Sequence, residues 1–321
     1  MDARRSALPM VGPIGKRCNA ADADPGFNPK GCRALGALPR CRSLAWMYHA
    51  ALPPSRIATQ RPAARGMIPA EMDSHIDISE EAGVRFLHFG SSWVQGAMRI
   101  ARPFALELDY TREMMTPLLL HADDWPRRVL QVGLGAGSVT KFLYRHRPQA
   151  RLTVIEIEPR VAAAARQFFK LPDDPKRIEL RYGDGADFMI ESKQSYDLIL
   201  VDGFDADART GRLDTLPFYL DCRARLADDG LLCVNLLSRR KDFRKSVSRL
   251  EEAFEGRAIA FPSCDSGNAI ALAAVGAPST PTFEELKAAA QHLKQATSLN
   301  LLPTLARLAQ SRHLAGGVLR L

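Results

Sequence analysis

From about residue 84 the apolar positions fall into short runs bounded by Gly, Ser or Pro, and then into a regular alternation of strand-like and helix-like stretches. Residues 84–89, 93–100 and 104–108 read as three short strands of a small antiparallel unit, and 109–121 as a helix ending before Asp123. Beyond Arg128 the strand-like runs lie at 128–133, 151–158, 177–183, 196–203 and 230–237, with helical patterns near 138–146, 160–169, 185–192, 216–227 and 240–255. Strands that are apolar on both faces and separated by helices predict a mostly parallel, doubly wound α/β sheet covered on both sides. Two further runs, 258–262 and 268–275, close that domain, and 281–321 reads as helical. The expected organisation is a leader over 1–66, a β unit plus helix over 67–121, a Rossmann-like domain over 122–280 and a C-terminal helical segment over 281–321.

Charge changes the picture of the leader. The whole chain carries 44 Lys and Arg against 36 Asp and Glu, a formal net charge of +8. Residues 1–66 hold eleven of the basic groups and three of the acids, so the remaining 33 of each sign make residues 67–321 neutral. The leader also has eight of the 21 prolines and no sustained helical periodicity, a composition that cannot bury enough to offset chain entropy. It reads as a disordered leader or a start codon placed too early, with Met67 and Met72 as alternative starts. No stretch approaches the about 18 apolar residues of a membrane span or has the form of a signal peptide, so the expected location is cytoplasmic. The six cysteines (18, 32, 41, 222, 233 and 264) form no CxxC pair and no Cys/His cluster, so the expectation is free thiols and no metal.

In a doubly wound sheet the ligand lies beyond the carboxyl ends of the strands, so the residues ending each strand carry the chemistry. The first strand ends in Gly133-Leu134-Gly135-Ala136-Gly137-Ser138. A dinucleotide fingerprint would have a glycine where Ser138 stands, and the GxGxG form suits a nucleoside-sulfonium compound better. The second strand ends in Glu156 and Glu158, at the spacing from which a carboxylate accepts both ribose hydroxyls. Gly183-Asp184-Gly185 ends the third and puts an acceptor beside an adenine amino group. Singly, Glu156 and Asp184 could equally be helix caps; three successive strand ends of this kind together point to adenosine binding.

The fourth strand exits at Asp202, followed by Asp205 and Asp207 with no basic residue before Arg209, a pocket suited to a cationic substrate. At this loop the chain resembles the spermidine synthase family of polyamine aminopropyltransferases, whose pattern here is D-S-S/T-D-P; Asp202 and Asp205 keep its spacing. The resemblance covers roughly 84–275. Gly133 to Ser138 stand at the family's glycine loop, Glu156-Ile157-Glu158 at its E-I/V-D, Gly183-Asp184-Gly185 at its G-D-G, and Cys264-Asp265-Ser266-Gly267-Asn268 at its late Y-P-S-G-Q. It implies a Rossmann-like S-adenosylmethionine-dependent methyltransferase fold, decarboxylated S-adenosylmethionine as co-substrate, a small cationic polyamine as acceptor and a homodimer. Asp202 would take or orient the departing proton, and Asp205 would anchor the diamine. Both aspartates could instead cap the turn after the strand.

The chain departs from the family at residues that hold the amines. Ala136 stands where the glycine loop has an Asp on the aminopropyl amine, Thr111-Arg112-Glu113 replace Y-H-E, and Cys264 replaces the late Tyr. A methyltransferase using full S-adenosylmethionine, or a non-catalytic homologue that binds an adenosine ligand, fits the same strand ends. For the folded part no nucleic-acid or membrane partner is expected. The basic run Arg239, Arg240, Lys241, Arg244, Lys245 and Arg249 reads as one solvated helix face.

Overall fold

The first strand of the structure is one the hydrophobic pattern did not suggest: β1 (Ile76–Glu81) pairs antiparallel with β2 (Val84–Phe89). The computed structural model describes residues 75–90, 93–205, 208–264 and 266–321; the leader, Met67, Met72, Cys18, Cys32, Cys41, Asp207 and Asp265 lie outside them. β1 escapes detection because none of its residues is fully buried, so its alternation is weak. Ala82 and Gly83 join the strands with φ of 48° and 75°, the positive values that a two-residue turn between twisted strands requires. β3 (Val94–Arg99) completes a three-stranded meander.

The strand expected at 104–108 does not form. Pro103 cannot donate to a ladder, and the chain runs through turns in which Ala105 N–H donates to Arg102 O at 3.0 Å. The helix expected over 109–121 breaks into α1 (Asp109–Glu113) and a 3-10 turn (Thr116–Leu119), with Pro117 at the first positions of the second piece.

The main sheet comprises β4 (Arg128–Val132), β5 (Arg151–Glu156), β6 (Ile178–Tyr182), β7 (Tyr196–Val201), β8 (Leu226–Leu237), β9 (Ala258–Ala260) and β10 (Asn268–Ala274), in the order β6-β5-β4-β7-β8-β10-β9. β10 runs antiparallel to both of its neighbours, β8 and β9, and the other adjacent strands pair parallel. The helices that follow the strands are α2 (Ser138–His146), α3 (Pro159–Phe168), α4 (Gly185–Glu191), α5 (Leu216–Ala224) and α6 (Phe243–Ala253).

Alternate residues of each central strand serve opposite faces. Val129, Leu198 and Leu200 enter a core with Phe142 and Leu143 of α2 and Ala162 and Ala165 of α3. Leu130, Val132, Ile199 and Val201 face Met189 of α4, Phe218 and Tyr219 of α5, and Leu250 of α6. The C-terminal helices α7 (Phe283–Thr297) and α8 (Leu302–Ala309) join the first of these cores through Leu286, Leu293, Leu305 and Leu308. Each such buried leucine contributes about 1.5–3 kcal/mol of apolar transfer.

Candidate active site

Backbone pairing continues one residue past the strands and so fixes what stands at their carboxyl ends. Gly133 N–H donates to Ile155 O at 2.8 Å, Asp202 N–H to Val132 O at 2.8 Å, and Gly183 N–H to Glu156 O at 3.0 Å. The strand-end residues therefore leave the sheet in one row, on both sides of the β4/β7 boundary where the order of strands reverses. Gly133 is the hinge of that row: with φ of 90°, a Cβ there would lie 2.1 Å from the Asp202 carbonyl oxygen. Gly135 continues the loop, Gly137 is the N-cap of α2, and Gly185 opens α4.

Glu156 is buried, and its two carboxylate oxygens take backbone donors, Leu134 N–H and Glu158 N–H, both at 2.9 Å. Burial pushes its carboxyl up, and these backbone bonds pull the other way. Glu158 is the N-cap of α3 and pairs with Arg160. Asp184 caps α4 through Oδ1, which accepts from Ala186 N–H at 2.6 Å and Asp187 N–H at 3.3 Å. Its Oδ2 lies 3.6 Å from Arg212 Nη1. Beside these acids two large side chains are left in solvent, Ile157 at 69% and Tyr182 at 52% exposure. Ile157 lies between the two strand-end acids of the Glu156-Ile157-Glu158 motif, whereas Tyr182 carries no spacing signal of its own.

Asp202 is held by side chains from distant elements. Asn235, buried on β8, donates Nδ2 to Asp202 Oδ1 at 2.8 Å, and the Tyr110 hydroxyl of α1 donates to the same carboxylate. Burial pushes the Asp202 carboxyl up, with both donors opposing. Burial and the neighbouring Asp202 push the Tyr110 phenol well up, so it remains a donor. Tyr110 and Asn235 were missed from sequence. Tyr110 stands just before the Thr111-Arg112-Glu113 triplet, where a family tyrosine would be sought one position later.

Asp205 folds back on its own loop: its Oδ1 accepts Arg209 N–H at 2.8 Å, and Arg209 Nε lies 4.0 Å from Oδ2. The rim is thus less anionic than the sequence suggests. Asp187 pairs with Arg212 at 2.7 Å, Glu158 with Arg160 at 2.8 Å and Asp242 with Arg240 at 2.9 Å. Among the described residues, Glu156 and Asp202 are the strand-end carboxylates without a cationic partner. In the basic run Arg240 is taken up by Asp242, and Arg249 by Asp214 at 3.1 Å, so that helix face is partly neutralised.

Two of the departures in the amine region, the Thr111-Arg112-Glu113 triplet and Ala136, acquire physical roles. Arg112 turns away from the strand ends, donating to Leu106 O, Glu107 O and Asp109 Oδ1. Glu113 is buried and pairs with Arg307 of α8 rather than standing in the row. Ala136 points into an apolar cluster with Leu87, Met98 and Phe169. There β3 lies so close that a Cβ on Gly96 would be 2.6 Å from the Ala136 Cβ. The Ser138 hydroxyl adds a 3.0 Å bond to Ala97 O of the same strand. No group of His, Cys, Asp and Glu among the described residues could hold a metal ion, and no helix there is long and apolar enough to cross a membrane.

Residues 108–255 match the spermine/spermidine synthase domain family. The chain is 36% identical over 251 residues to the polyamine aminopropyltransferase of Neisseria meningitidis, covering 78% of this chain and 93% of the relative. The fold is similar to that of a probable spermidine synthase from Corynebacterium glutamicum, with TM-score 0.58, 21% identity, and 68% and 83% of the two chains covered. It is also similar to human methyltransferase-like protein 13 in complex with SAH, with TM-score 0.54, 21% identity, and 60% and 93% covered. Those two likenesses identify a methyltransferase-type fold, and the relative that matches along most of its length goes further: the chain belongs to the spermine/spermidine synthase family of polyamine aminopropyltransferases.

Proposed function

We propose that this chain transfers the aminopropyl group of decarboxylated S-adenosylmethionine to a primary amine of a small polyamine, with putrescine as the simplest candidate. The observation that carries this reading is Asp202, a partly buried carboxylate with two donors and no cation, set beside a glycine loop and a second, fully buried acid. On this reading Glu156 accepts the ribose hydroxyls with the lone pairs its backbone donors leave unused. Asp184 Oδ2 and the exposed Ile157 receive the adenine, one by hydrogen bonding and the other by apolar contact.

The acceptor amine must be neutral to attack, although its pKa in water is about 10. Its lone pair forms a bond to the methylene carbon beside the sulfonium as the C–S bond breaks. The C–S electron pair goes to sulfur, leaving a neutral thioether, methylthioadenosine, and an ammonium that then loses a proton. Asp202 holds the nitrogen on line and balances its growing positive charge. A buried anion does this better than one in water, because few solvent dipoles must reorient. The upward push of burial also brings Asp202 closer to a useful proton acceptor.

One observation favours a second reading. Ala136 leaves no acid in the glycine loop to select an aminopropyl ammonium over an amino acid, so a methyl transfer from full S-adenosylmethionine would meet no obstacle there. Incubation of the full chain with putrescine and each donor separates the two, because aminopropyl transfer releases methylthioadenosine and methyl transfer releases S-adenosylhomocysteine. The expected outcome is methylthioadenosine, lowered by about 10²- to 10⁴-fold in Asp202→Asn, the range of a placed acid-base group. S-adenosylhomocysteine with no methylthioadenosine would transfer the assignment to the second reading.

A further inference from the structure

Asp202 heads a line of hydrogen bonds that runs across the sheet to the loop before β10. Asn235 Nδ2 donates to Asp202 Oδ1 at 2.8 Å, Asn268 Nδ2 to Asn235 Oδ1 at 2.9 Å, and Ser266 Oγ to Asn268 Oδ1 at 2.6 Å. Cys264 Sγ lies 3.0 Å from Ser266 Oγ. Strand register makes this contact: Asn235 stands opposite Ile270, so Asn268, two residues away, is its diagonal neighbour.

The direction of the line follows from the carboxylate. An ionised Asp202 only accepts, so Asn235 must turn its amide nitrogen towards it and present its oxygen to Asn268. Asn268 must then offer nitrogen to Asn235 and oxygen to the Ser266 hydroxyl. Each member thus has one orientation, and every donor points towards Asp202. Bonds aligned in this way polarise one another.

We propose that Asn268, supported by Ser266, is a positioning residue for the transfer reaction, acting through Asn235 to hold the Asp202 carboxylate as an oriented anion. The proposal rests on the reading of Asp202 as the group that meets the acceptor amine. Without Asn268 the Asn235 amide is free to rotate, and half of its orientations set an oxygen against the carboxylate. The other titratable groups around Asp202 are Tyr110 of α1, Cys233 of β8 and, against Tyr110, Cys264. Burial holds the Tyr110 phenol and the Cys233 thiol well up, so neither ionises before Asp202.

Two measurements on Asn268→Ala test this, with Asn268→Asp as a second variant that keeps the side-chain shape while reversing the polarity of its contact with Asn235. The first is an infrared pH titration of the Asp202 carboxyl band, identified by its absence in Asp202→Asn. Loss of the aligned donors makes the anion less favourable, so the protonation midpoint moves to higher pH in both variants. The second is a double-mutant cycle on methylthioadenosine release from putrescine and decarboxylated S-adenosylmethionine. Asn268→Ala lowers kcat by about tenfold with the donor KM unchanged, the upper end for one hydrogen bond between neutral side chains. In an Asn235→Ala background the same change adds less than about twofold, because it has nothing left to act through. An unmoved midpoint in both variants overturns the proposal, as does a full multiplication of the two losses. Absence of product from the unsubstituted chain alongside a shifted midpoint sinks the transfer reading and leaves the positioning line standing.

Discussion

Glu156, buried at the end of β5, and Asp202, partly buried at the end of β7 on the other side of β4, are both pushed up by desolvation, yet they are held in opposite ways. Glu156 is held by main-chain donors from its own turn and from the adjacent glycine loop. Asp202 is held by side chains, one from α1 and one from β8, that only the tertiary fold brings to it. Main-chain donors exist whatever the side chains are, provided the loop can adopt its shape. Side-chain donors vanish with one substitution. On the proposed reading, the half of the site that would hold the aminopropyl donor is therefore robust to sequence change, and the half that would hold the acceptor amine is where a family of this fold can diverge.

The largest expected effect comes from the strut that places α1. Glu113, buried and anchored by Arg307 of α8, is carried on the same short helix as Tyr110. Glu113→Ala leaves Arg307, whose side chain is 35% exposed, without its carboxylate and should lower stability, by less than the about 3–5 kcal/mol lost when a fully buried ion pair is broken from one side. Replacing both partners by leucine should recover most of it, since well-packed apolar residues often match such a pair. Thermal unfolding reads the stability, and calorimetry with methylthioadenosine reads the donor half. Adenosine-ligand binding at a temperature where Glu113→Ala is folded should be preserved while turnover falls. Equal loss of both would show that the two halves are not separately held.

Glu156→Ala reverses that pattern. It removes a charged acceptor from two backbone donors and, on the proposed reading, from the ribose, and hydrogen bonds to charged groups are worth about 1.5–3 kcal/mol. Methylthioadenosine affinity should fall by roughly 10- to 100-fold. The infrared midpoint of Asp202 should stay in place, because the two acids share no partner. A moved midpoint would mean that the acids communicate through the row.

The same contrast decides what could be read from the residues alone. The doubly wound sheet and its strand-end row were legible because period and spacing are local: Gly133, Glu156 and Asp184 each announce a strand exit within a few positions. Tyr110 and Asn235 were not, since neither carries a spacing signal and their meeting depends on β8 lying beside β7 and on α1 crossing the strand ends. The errors in the N-terminal unit have local causes as well, a weakly buried β1 and prolines at 103 and 117 that interrupt otherwise regular patterns. Charge was the least legible property. Asp205, Asp187 and Glu158 suggest an anionic rim when counted along the chain, and each has an arginine against it in the fold.

The smallest effect belongs to one of those arginines, and it tests whether the rim matters to the donor half at all. Arg212 pairs with Asp187 at 2.7 Å and approaches Asp184 Oδ2 at 3.6 Å, the oxygen left over after Asp184 caps α4. Arg212→Ala frees that oxygen without disturbing the cap, whose two backbone donors bind Oδ1. If Asp184 Oδ2 receives the adenine amino group, removing a competing cation should leave methylthioadenosine binding unchanged or tighten it, by less than about fivefold for an exposed pair. The gain should shrink as salt is raised, because screening already weakens the pair in the unsubstituted chain. A loss of affinity instead would mean that Arg212 positions Asp184, and the donor half would then depend on a side chain as the acceptor half does.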